Sequence, residues 1–392
     1  MIPKLRFPEF SGDWGIKKLG SIYPKIRNGF VGTATPFYVS KGHKYIQGKD
    51  IKAGKIQNTV DVFVSDSFYE KNKKSILHTN DIVVVQSGHV GECAVVNDEA
   101  AGANCHALII MSSNLPTASA FYVSYLYSPQ GKSRLSKATT GNTIKHILAS
   151  DMKKMLVPSC STEEAEKIAR FLTVLDERVA VISKKVELLQ QYKKGIIQKI
   201  FTQRLKFKDE NGHSYPDWQA KKLGKLEEEE RIKLGRGEVI SKEDIANNPG
   251  NYPIYSSSVK NDGLFGRYGK YMFDEELITW SVDGGGHFFY RPAGRFSVTN
   301  VSGWLRVQDV NLSCKFLSLQ LQRLHERLIF DYQTKAHPSV IRQLYSVRLP
   351  CLEEQQKIAD FLTSLDDKIN LEKAKLEQAK LFKKSLLQRM FV

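Results

Sequence analysis

Side chains that could read nucleic-acid bases recur in the predicted loops of both halves of this sequence. Arg, Lys, Asn, Gln, Ser and Thr read base edges well from loops that a sheet holds in place. In the first half we predict such contacts from Arg27, Asn28, Lys41, His43, Lys44, Gln86, Ser87, His89, Thr140, Asn142 and Lys145. In the second half we predict them from Arg231, Lys233, Arg236, Tyr255, Ser257, Asn261, Ser281, His287, Lys335, His337 and Arg342. His89 and His287 fit equally well as structural histidines with internal partners.

Motifs for catalysis are missing from the sequence. It contains no Walker A motif, no Asp/Asn-Pro-Pro-aromatic tetrad for amino methylation and no HExxH pair. The glycine-rich segments 12–15, 235–237 and 283–287 lack P-loop or dinucleotide spacing, and we interpret them as tight turns. Pro216-Asp217 before Lys221-Lys222 lacks the strand-borne acid that a nuclease needs. We therefore predict no catalytic residue and no cofactor in this chain, and we interpret residues 227–230 as a solvated acidic run.

The cysteines indicate a reducing environment. Cys93, Cys105, Cys160, Cys314 and Cys351 are scattered, without CxxC pairs or metal-ligand spacing. Such usage is typical of reduced cytosolic thiols, so we predict neither a disulfide nor a metal site. No apolar run approaches the roughly 18–20 residues of a membrane span. We therefore predict a cytoplasmic protein with no membrane contact.

The charge of the chain favours a polyanionic partner. The formal net charge is +16, and Lys and Arg contacts to phosphate supply most non-specific affinity for nucleic acid. Residues 1–157 carry 20 basic and 11 acidic groups, against 21 and 18 in residues 205–350. No Lys or Arg lies between Ser75 and Gln130, so the basic residues of the first domain are clustered in the rest of its sequence. Such clustering suggests a positive face. A basic but unspecialised surface remains an alternative explanation.

A repeat organises the chain. Residues 163–201 align without a gap to residues 353–391, with 16 identities in 39 positions. Both copies lack proline and carry apolar residues at heptad spacing, which predicts long helices with a packing seam. Lys193 interrupts the first seam, and Glu372 and Ala379 weaken the second. We predict that the seam residues are Ile168, Leu172, Leu175, Val179, Ile182, Val186, Leu189 and Ile196, with Ile358, Leu362, Leu365, Ile369, Leu376 and Leu386.

The seam has to be buried. At 1.5 Å per residue each helix would be about 55–60 Å long, and an apolar stripe of that length packs most simply against the other copy. Burial inside one large α-rich domain is the alternative.

A second repeat precedes each half of the chain. KLRF and DWGIKKLG, within residues 4–20, match RLKF and DWQAKKLG within residues 204–224; we name these the leading motifs. The chain begins as if continuing from the end of a helix copy, so the order is cyclic and predicts adjacent termini and pseudo-twofold symmetry. We place globular domains at residues 1–158 and 205–350, and helices at residues 159–204 and 351–392.

The two globular domains look alike in frame and differ in sequence. We predict strands at residues 81–86, 92–96 and 107–111 and a helix at 118–127, then strands at 276–281, 288–291 and 303–307 and a helix at 315–332. The predicted fold class is α+β: two globular α/β domains separated by a long antiparallel two-helix coiled coil, in a pseudo-twofold cyclic arrangement. Similar frames around unlike sequences suit two modules that read different ligands.

This arrangement resembles the specificity subunit of type I restriction-modification enzymes. The signature Glu-x-x-x-Ile-Ala-x-Phe-Leu-x-x-Leu-Asp, at residues 164–176 and 354–366, carries the resemblance most specifically. Segments 26–32, 87–91 and 139–144 are also similar to the family.

The resemblance implies a role within a larger complex. It implies two target recognition domains that read a bipartite double-stranded DNA target, with paired helices that fix the unread spacer. It further implies two methyltransferase subunits and motor-nuclease restriction subunits as partners in phage defence. S-adenosylmethionine, ATP and Mg would be bound by those partners.

Two other functions stay open at this stage. A self-sufficient nuclease or methyltransferase with duplicated recognition domains would need the catalytic motifs that are missing. An adaptor whose helices bind protein, and whose basic charge is incidental, would ignore DNA sequence.

Overall fold

The computed structural model describes residues 1–57, 61–113, 119–140, 145–283, 287–328 and 335–392. The chain divides into two compact units: unit 1 comprises residues 1–185 and 372–392, and unit 2 comprises residues 186–371. Each unit therefore holds one globular domain and one half of each long helix.

The elements of unit 1 are short strands and helices that lead into a long helix. They are β1 (Gly15–Lys18), α1 (Leu19–Ile22), β2 (Lys25–Asn28), β3 (Tyr38–Val39), β4 (His43–Ile46), β5 (Ile51–Lys52), β6 (Lys55–Ile56), β7 (Phe63–Val64), α2 (Asp66–Lys71), β8 (Ile82–Val85), β9 (Cys93–Val95), β10 (Asn104–Cys105), β11 (Leu108–Ser112), α3 (Ser119–Tyr127), α4 (Pro129–Lys137), β12 (Thr139–Thr140), β13 (His146–Ile147), α5 (Ala149–Lys154), β14 (Leu156–Ser159) and the start of α6 (Thr162–Phe201).

Unit 2 continues from the second half of α6 with an equivalent series. Its elements are β15 (Gln219–Lys222), α7 (Leu223–Glu228), β16 (Ile232–Arg236), α8 (Lys242–Asn247), β17 (Tyr252–Tyr255), β18 (Leu264–Tyr268), β19 (Phe273–Asp274), β20 (Leu277–Ser281), β21 (Phe289–Arg291), β22 (Arg295–Val298), β23 (Ser302–Val307), α9 (Cys314–His325), α10 (Pro338–Leu344), β24 (Ser346–Leu349) and the start of α11 (Leu352–Met390), which ends in unit 1.

The first four-stranded sheet has the same topology in both units, whereas the second sheet differs in the position of one outer strand. The strand order β2-β11-β8-β9 in unit 1 matches β16-β23-β20-β21 in unit 2, and β10-β4-β7-β3 accompanies β18-β17-β22-β19 as a second four-stranded sheet. In each second sheet one strand pair is parallel, β4 with β10 and β17 with β22. The predicted α+β class and the common frame are thus confirmed.

Residue pattern explains why β8 and β20 are central. Ile82–Val85 is an unbroken β-branched run, buried at every position, and Leu277–Ser281 is likewise buried throughout. Such runs suit strands covered on both faces. One face of the β8 sheet packs on α3 and on the helix ends, and the other packs on the second sheet.

The predicted strand bounds hold to within one or two residues, whereas one helix is shorter than predicted. Helix α9 ends at His325, not at 332, and His325 is buried against Tyr345, with Nδ1 2.7 Å from its hydroxyl. The chain then turns, and Leu328 N bonds to the carbonyl of His325. Residues 114–118 and 329–334, which include parts of both predicted helices, lie outside the described residues.

The two repeat copies are single helices of 40 and 39 residues, as predicted. Ser161 Oγ accepts a hydrogen bond from Glu164 N at 3.2 Å and so caps α6. Every predicted seam residue is buried or half-buried. Within the described part of the chain, no helix combines the length and apolarity that crossing a membrane requires.

Candidate nucleic-acid interface and its helical mount

In unit 1 the first half of α6 runs antiparallel to the second half of α11. Lys185 Nζ donates to Glu372 Oε1 at 2.9 Å, and the ammonium of Lys383 pairs with the carboxylate of Asp176. Glu372 occupies a seam position, where Lys185 and Lys375 hydrogen-bond its carboxylate and hold its pKa below the usual value. The weak point in the predicted seam is therefore an ion-pair site.

Unit 2 uses the same contact with the roles of the helices exchanged. Lys193 Nζ donates to Asp366 Oδ1 at 2.5 Å. Asp366 is the repeat counterpart of Asp176, and Lys193 is the counterpart of Lys383. The chain therefore contains this ion pair twice, and each helix supplies the lysine of one pair and the aspartate of the other. Lys193, which interrupts the predicted seam, is the lysine of the pair in unit 2.

The leading motif of unit 1 is bonded to both helix ends. Arg6 donates through Nε and Nη2 to the two carboxylate oxygens of Glu164, at 2.7 and 2.8 Å, and Trp14 Nε1 donates to Glu164 Oε2 at 3.1 Å. Leu5 N donates to the carbonyl of Arg389 at 2.9 Å. The two ends of the sequence therefore meet in unit 1, as the cyclic order predicted.

The leading motif of unit 2 repeats these contacts except for the one that Arg6 makes in unit 1. Trp218 Nε1 donates to Glu354 Oε2 at 2.9 Å, and Leu205 N donates to the carbonyl of Lys199 at 3.1 Å. Lys206 stands where unit 1 has Arg6, and among the described residues only Trp218 hydrogen-bonds the Glu354 carboxylate. Burial accordingly raises the pKa of Glu354.

Part of the predicted contact set of unit 1 gathers at one end of the β8 sheet. Asn28 ends β2, and Gln86 and Ser87 follow β8 at the same edge, where Gln86 N bonds to the carbonyl of Ala107. An isolated bridge joins Ser87 to His146, beside the exposed Lys145. Gln86 Oε1 is buried and accepts no hydrogen bond within the described residues.

The remaining predicted residues of unit 1 are divided. Lys41, His43 and Lys44 lie on or beside β4 in the second sheet, where His43 stacks on Tyr69 with ring centroids 3.7 Å apart. Arg27 is committed to the fold, since it bonds the carbonyls of residues 74 and 76 and the hydroxyl of residue 112. His89 is exposed, Thr140 lies in β12, and Asn142 lies outside the described residues.

In unit 2 a second group of predicted residues gathers at the equivalent sheet end. Arg236 ends β16 and donates to the carbonyl of Asn300 at 2.6 Å, and the buried Ser281 ends β20. His337 caps α10, and burial lowers its pKa, with the cationic Arg236 and Arg342 adding to the effect. Lys335 pairs with Asp283 at 2.9 Å.

The other predicted residues of unit 2 lie in two places, on or beside β16 and around β17 and β21. Lys233 is exposed on β16, while Arg231 is bonded to Asp309 at 2.6 Å. Tyr255, Ser257 and Asn261 lie in or after β17. His287 lies beside Phe289 with ring centroids 4.7 Å apart, and burial lowers its pKa.

The acidic run 227–230 is exposed to solvent at residues 228–230, as expected, but two of its carboxylates also form ion pairs with residues outside the run. Glu227 pairs with Arg342 at 3.2 Å and Glu229 with Lys221 at 2.7 Å, and Glu227 Oε1 also accepts from Leu234 N. Unit 1 carries Lys17 and Lys18 at the matching strand β1, where no ion pair engages them within the described residues. The acidic run neutralises a corner that remains basic in unit 1.

Sequence reasoning missed Arg291, which is buried on β21 between the rings of Tyr255 and Phe289. Its position after the aromatic run 288–290, in a predicted strand, was the available signal. No cluster of His, Cys, Asp or Glu suited to a metal ion occurs among the described residues. The five cysteines are free thiols.

Two matched α+β units, each with one globular domain and one half of each long helix, give the chain a duplicated architecture. The family described as "Type I restriction modification DNA specificity domain" matches residues 11–191 and again 216–381. The chain therefore belongs to the type I restriction-modification specificity family.

Known relatives agree with this assignment. A putative type I specificity subunit of Mycoplasma pneumoniae, S.MpnORF507P, is 36% identical over 148 residues, which are 37% of this chain and 40% of that protein. The putative MjaX specificity subunit of Methanocaldococcus jannaschii is 25% identical over 411 residues, covering 98% of this chain and 94% of that protein. The crystal structure of the S subunit from M. genitalium shares the fold, with a TM-score of 0.66 and 19% identity over 100% of this chain and 99% of that one.

Proposed function

We propose that this chain reads a bipartite DNA target, one half-site with each unit, across a spacer of fixed length. The observation that carries the proposal is one sheet frame, mounted twice on equivalent helix contacts, with different side chains at the equivalent sheet ends. Asn28 stands in unit 1 where unit 2 has Arg236, and Gln86 and Ser87 stand where unit 2 has Val282 and Asp283. Unlike hydrogen-bonding groups on one frame suit two different base sequences.

The duplex would be held by positive charge and read by the loops. The net charge of +16 supports phosphate contacts, which position a protein without specifying sequence. The helices would set the spacer, because half-sites on one side of B-DNA fall about 34–36 Å apart per helical turn. Rigid helices convert their own length into a number of unread base pairs.

We further propose that the chain has no chemistry of its own and recruits enzymes in the cytoplasm for phage defence. Two methyltransferase subunits would supply S-adenosylmethionine chemistry, and restriction subunits would supply ATP- and Mg-dependent cleavage. A groove of 260 Å³ between α6 and α11 in unit 1, lined by Leu175, Val179, Ile182 and Phe382, supports docking on the helices. Val181, 68% exposed nearby, would be covered by such a partner.

Random-site selection with the complex of this chain and methyltransferase subunits tests the proposal. The expected result is a bipartite consensus with one spacer length. Inserting one heptad into both helices adds about 10.5 Å, so the selected spacer should lengthen by roughly 3 base pairs with both half-sites unchanged. An unaltered spacer in the lengthened variant would contradict the proposal that the helices set the spacer length.

The two alternatives give different results in the same assays. DNA cleavage or methylation by the purified chain alone would favour a self-sufficient enzyme. Binding without sequence preference in the reconstituted complex would favour an adaptor.

A further inference from the structure

Unit 2 contains a buried arginine, Arg291, that the fold of the unit does not explain. Arg291 is 5% exposed, and its guanidinium carbon lies 3.7 Å from the centroid of the Tyr255 ring and 4.5 Å from that of Phe289. Nε donates to Thr279 Oγ1 at 2.9 Å. Nη2 is buried and has no hydrogen-bond partner within the part of the chain that the structure describes. A buried cationic donor without an acceptor is unfavourable and needs an explanation.

The fold itself does not need an arginine at this position. Ile82 pairs with Val95 in unit 1 as Ile278 pairs with Tyr290 in unit 2, so the next residues, Val96 and Arg291, are equivalent. Val96 is buried in an aliphatic cluster between the two sheets of unit 1. One valine therefore fills the place in this frame that the arginine fills in unit 2.

A turn with an unfavourable backbone covers Arg291. Asn261, Asp262 and Gly263 all have left-handed φ angles, of 52°, 52° and 78°, a conformation that costs non-glycine residues energy. A Cβ on Gly263 would lie 3.1 Å from Nη2, so this backbone rests directly on the guanidinium. Asn261 and Asp262 are themselves exposed, which leaves one layer of chain between Nη2 and solvent.

The charge of Arg291 survives its burial. Desolvation lowers the pKa of its guanidinium to about 10, opposed by the nearby Tyr255 and Asp262, so the group stays cationic at neutral pH. Tyr255 and His287, both predicted to contact DNA, belong to the same cluster.

We propose that Arg291 is a base-reading residue of unit 2, whose Nη2 donates to an acceptor on a base edge once the turn at residues 256–263 moves aside. The inference rests on the proposed function. Arginine contacts to the N7 and O6 acceptors of guanine are the commonest specific contacts in the major groove. The aromatic rings fix the plane of the guanidinium, which suits one directional contact, whereas phosphate contacts carry no sequence information.

Two variants and a matched control test this role in the reconstituted complex with methyltransferase subunits. Arg291→Met keeps the volume and removes the donors, while Arg291→Lys keeps the charge and removes the fork. Arg295→Met is the control, because Arg295 also stacks on an aromatic ring, at 4.8 Å from Tyr271, but is paired with Asp274 at 3.0 Å.

Selection from a random-sequence duplex library is the measurement. Both Arg291 variants should lose about 10-fold or more of the base preference at one position of one half-site. The other half-site, the spacer and the selection by Arg295→Met should match the parent protein. Hydrogen exchange of β20 and β21 in Arg291→Met should stay close to that of the parent, since valine fills the equivalent place in unit 1.

A different pattern would overturn the inference. If the Arg291 variants bind all DNA sequences equally more weakly, Arg291 contacts a phosphate or serves only the fold. The same conclusion follows if Arg291→Met unfolds and Arg291→Lys keeps the base preference of the parent protein. If the parent complex itself selects no bipartite site, the proposed function fails, and that result is distinct from loss of the Arg291 role alone.

Discussion

The two buried tryptophan–glutamate contacts allow one substitution to be tested twice in the same chain. Trp14 donates to Glu164, which keeps the bidentate Arg6 when the indole is removed. Trp218 donates to Glu354, which keeps no hydrogen-bond donor among the described residues. We predict that Trp218→Phe destabilises unit 2 more than Trp14→Phe destabilises unit 1.

The expected difference follows from the carboxylates. Replacing indole by phenyl removes a similar volume at both sites, at about 1–2 kcal/mol each. Leaving a buried charged acceptor without a donor adds roughly 1.5–3 kcal/mol, and protonation of the carboxylate offsets part of this. Trp218→Phe should therefore cost about 1–2 kcal/mol more at neutral pH.

Acid should remove the difference. The folded-state pKa of Glu354 is already raised by burial, and loss of Trp218 raises it further. A carboxyl group with a folded pKa above its unfolded pKa lowers stability at high pH, and the penalty is lost as pH falls through the folded value. The gap between the two variants should thus narrow as pH falls toward the ordinary glutamate range.

Hydrogen exchange is the suitable assay, because it reports local opening free energies without assuming two-state unfolding of a two-unit chain. Amides of the β1–β14 pair report on unit 1 and those of the β15–β24 pair on unit 2, each compared with the parent protein. Equal losses at neutral pH, or a gap that widens in acid, would refute this account of the buried carboxylates.

Three further predictions concern single contacts. Lys206→Arg should give Glu354 the arginine partner that Glu164 already has in unit 1, which should lower the pKa of Glu354. Hydrogen exchange in unit 2 should then be slower at neutral pH but not in acid. Unchanged exchange would contradict the comparison between the two glutamates. Asp176→Lys and Lys383→Asp should each weaken unit 1 in thermal unfolding, and the double exchange should restore about 0.2–1 kcal/mol of coupling, whereas simple additivity would exclude a direct pair. Gly263→Ala should destabilise the turn by about 1–2 kcal/mol, because its φ is left-handed, as faster exchange of Ser256 N would reveal.

Periodicity made the helices predictable, while pairing partners stayed hidden. Heptad spacing indicated the seam on α6 and α11, since an apolar stripe must be buried whatever covers it. The same rule treated Lys193 and Glu372 as defects, because no local pattern reveals that Asp366 and Lys185 lie opposite them. Ion pairs between distant segments are set by tertiary register.

The candidate interface was less predictable than its frame. Residue type placed Arg27 and Arg231 among the base contacts; both also have hydrogen-bond partners inside the fold, and their contact with DNA stays a prediction. Composition cannot distinguish an arginine that faces DNA from one that ties loops together. Arg291 was overlooked for the opposite reason, since a strand flanked by aromatic residues reads as core.

Each helix supplies the aspartate of one ion pair and the lysine of the other, and this has a consequence for how the gene of this protein can change. Asp176 with Lys383 and Asp366 with Lys193 use one acid and one base from each repeat copy, so either copy is complementary to its own duplicate. Recombination that replaces the segment between the copies alters neither bond. Under the proposed function, such an exchange replaces the target reading of one unit in a single genetic event and leaves the helix contacts as they are.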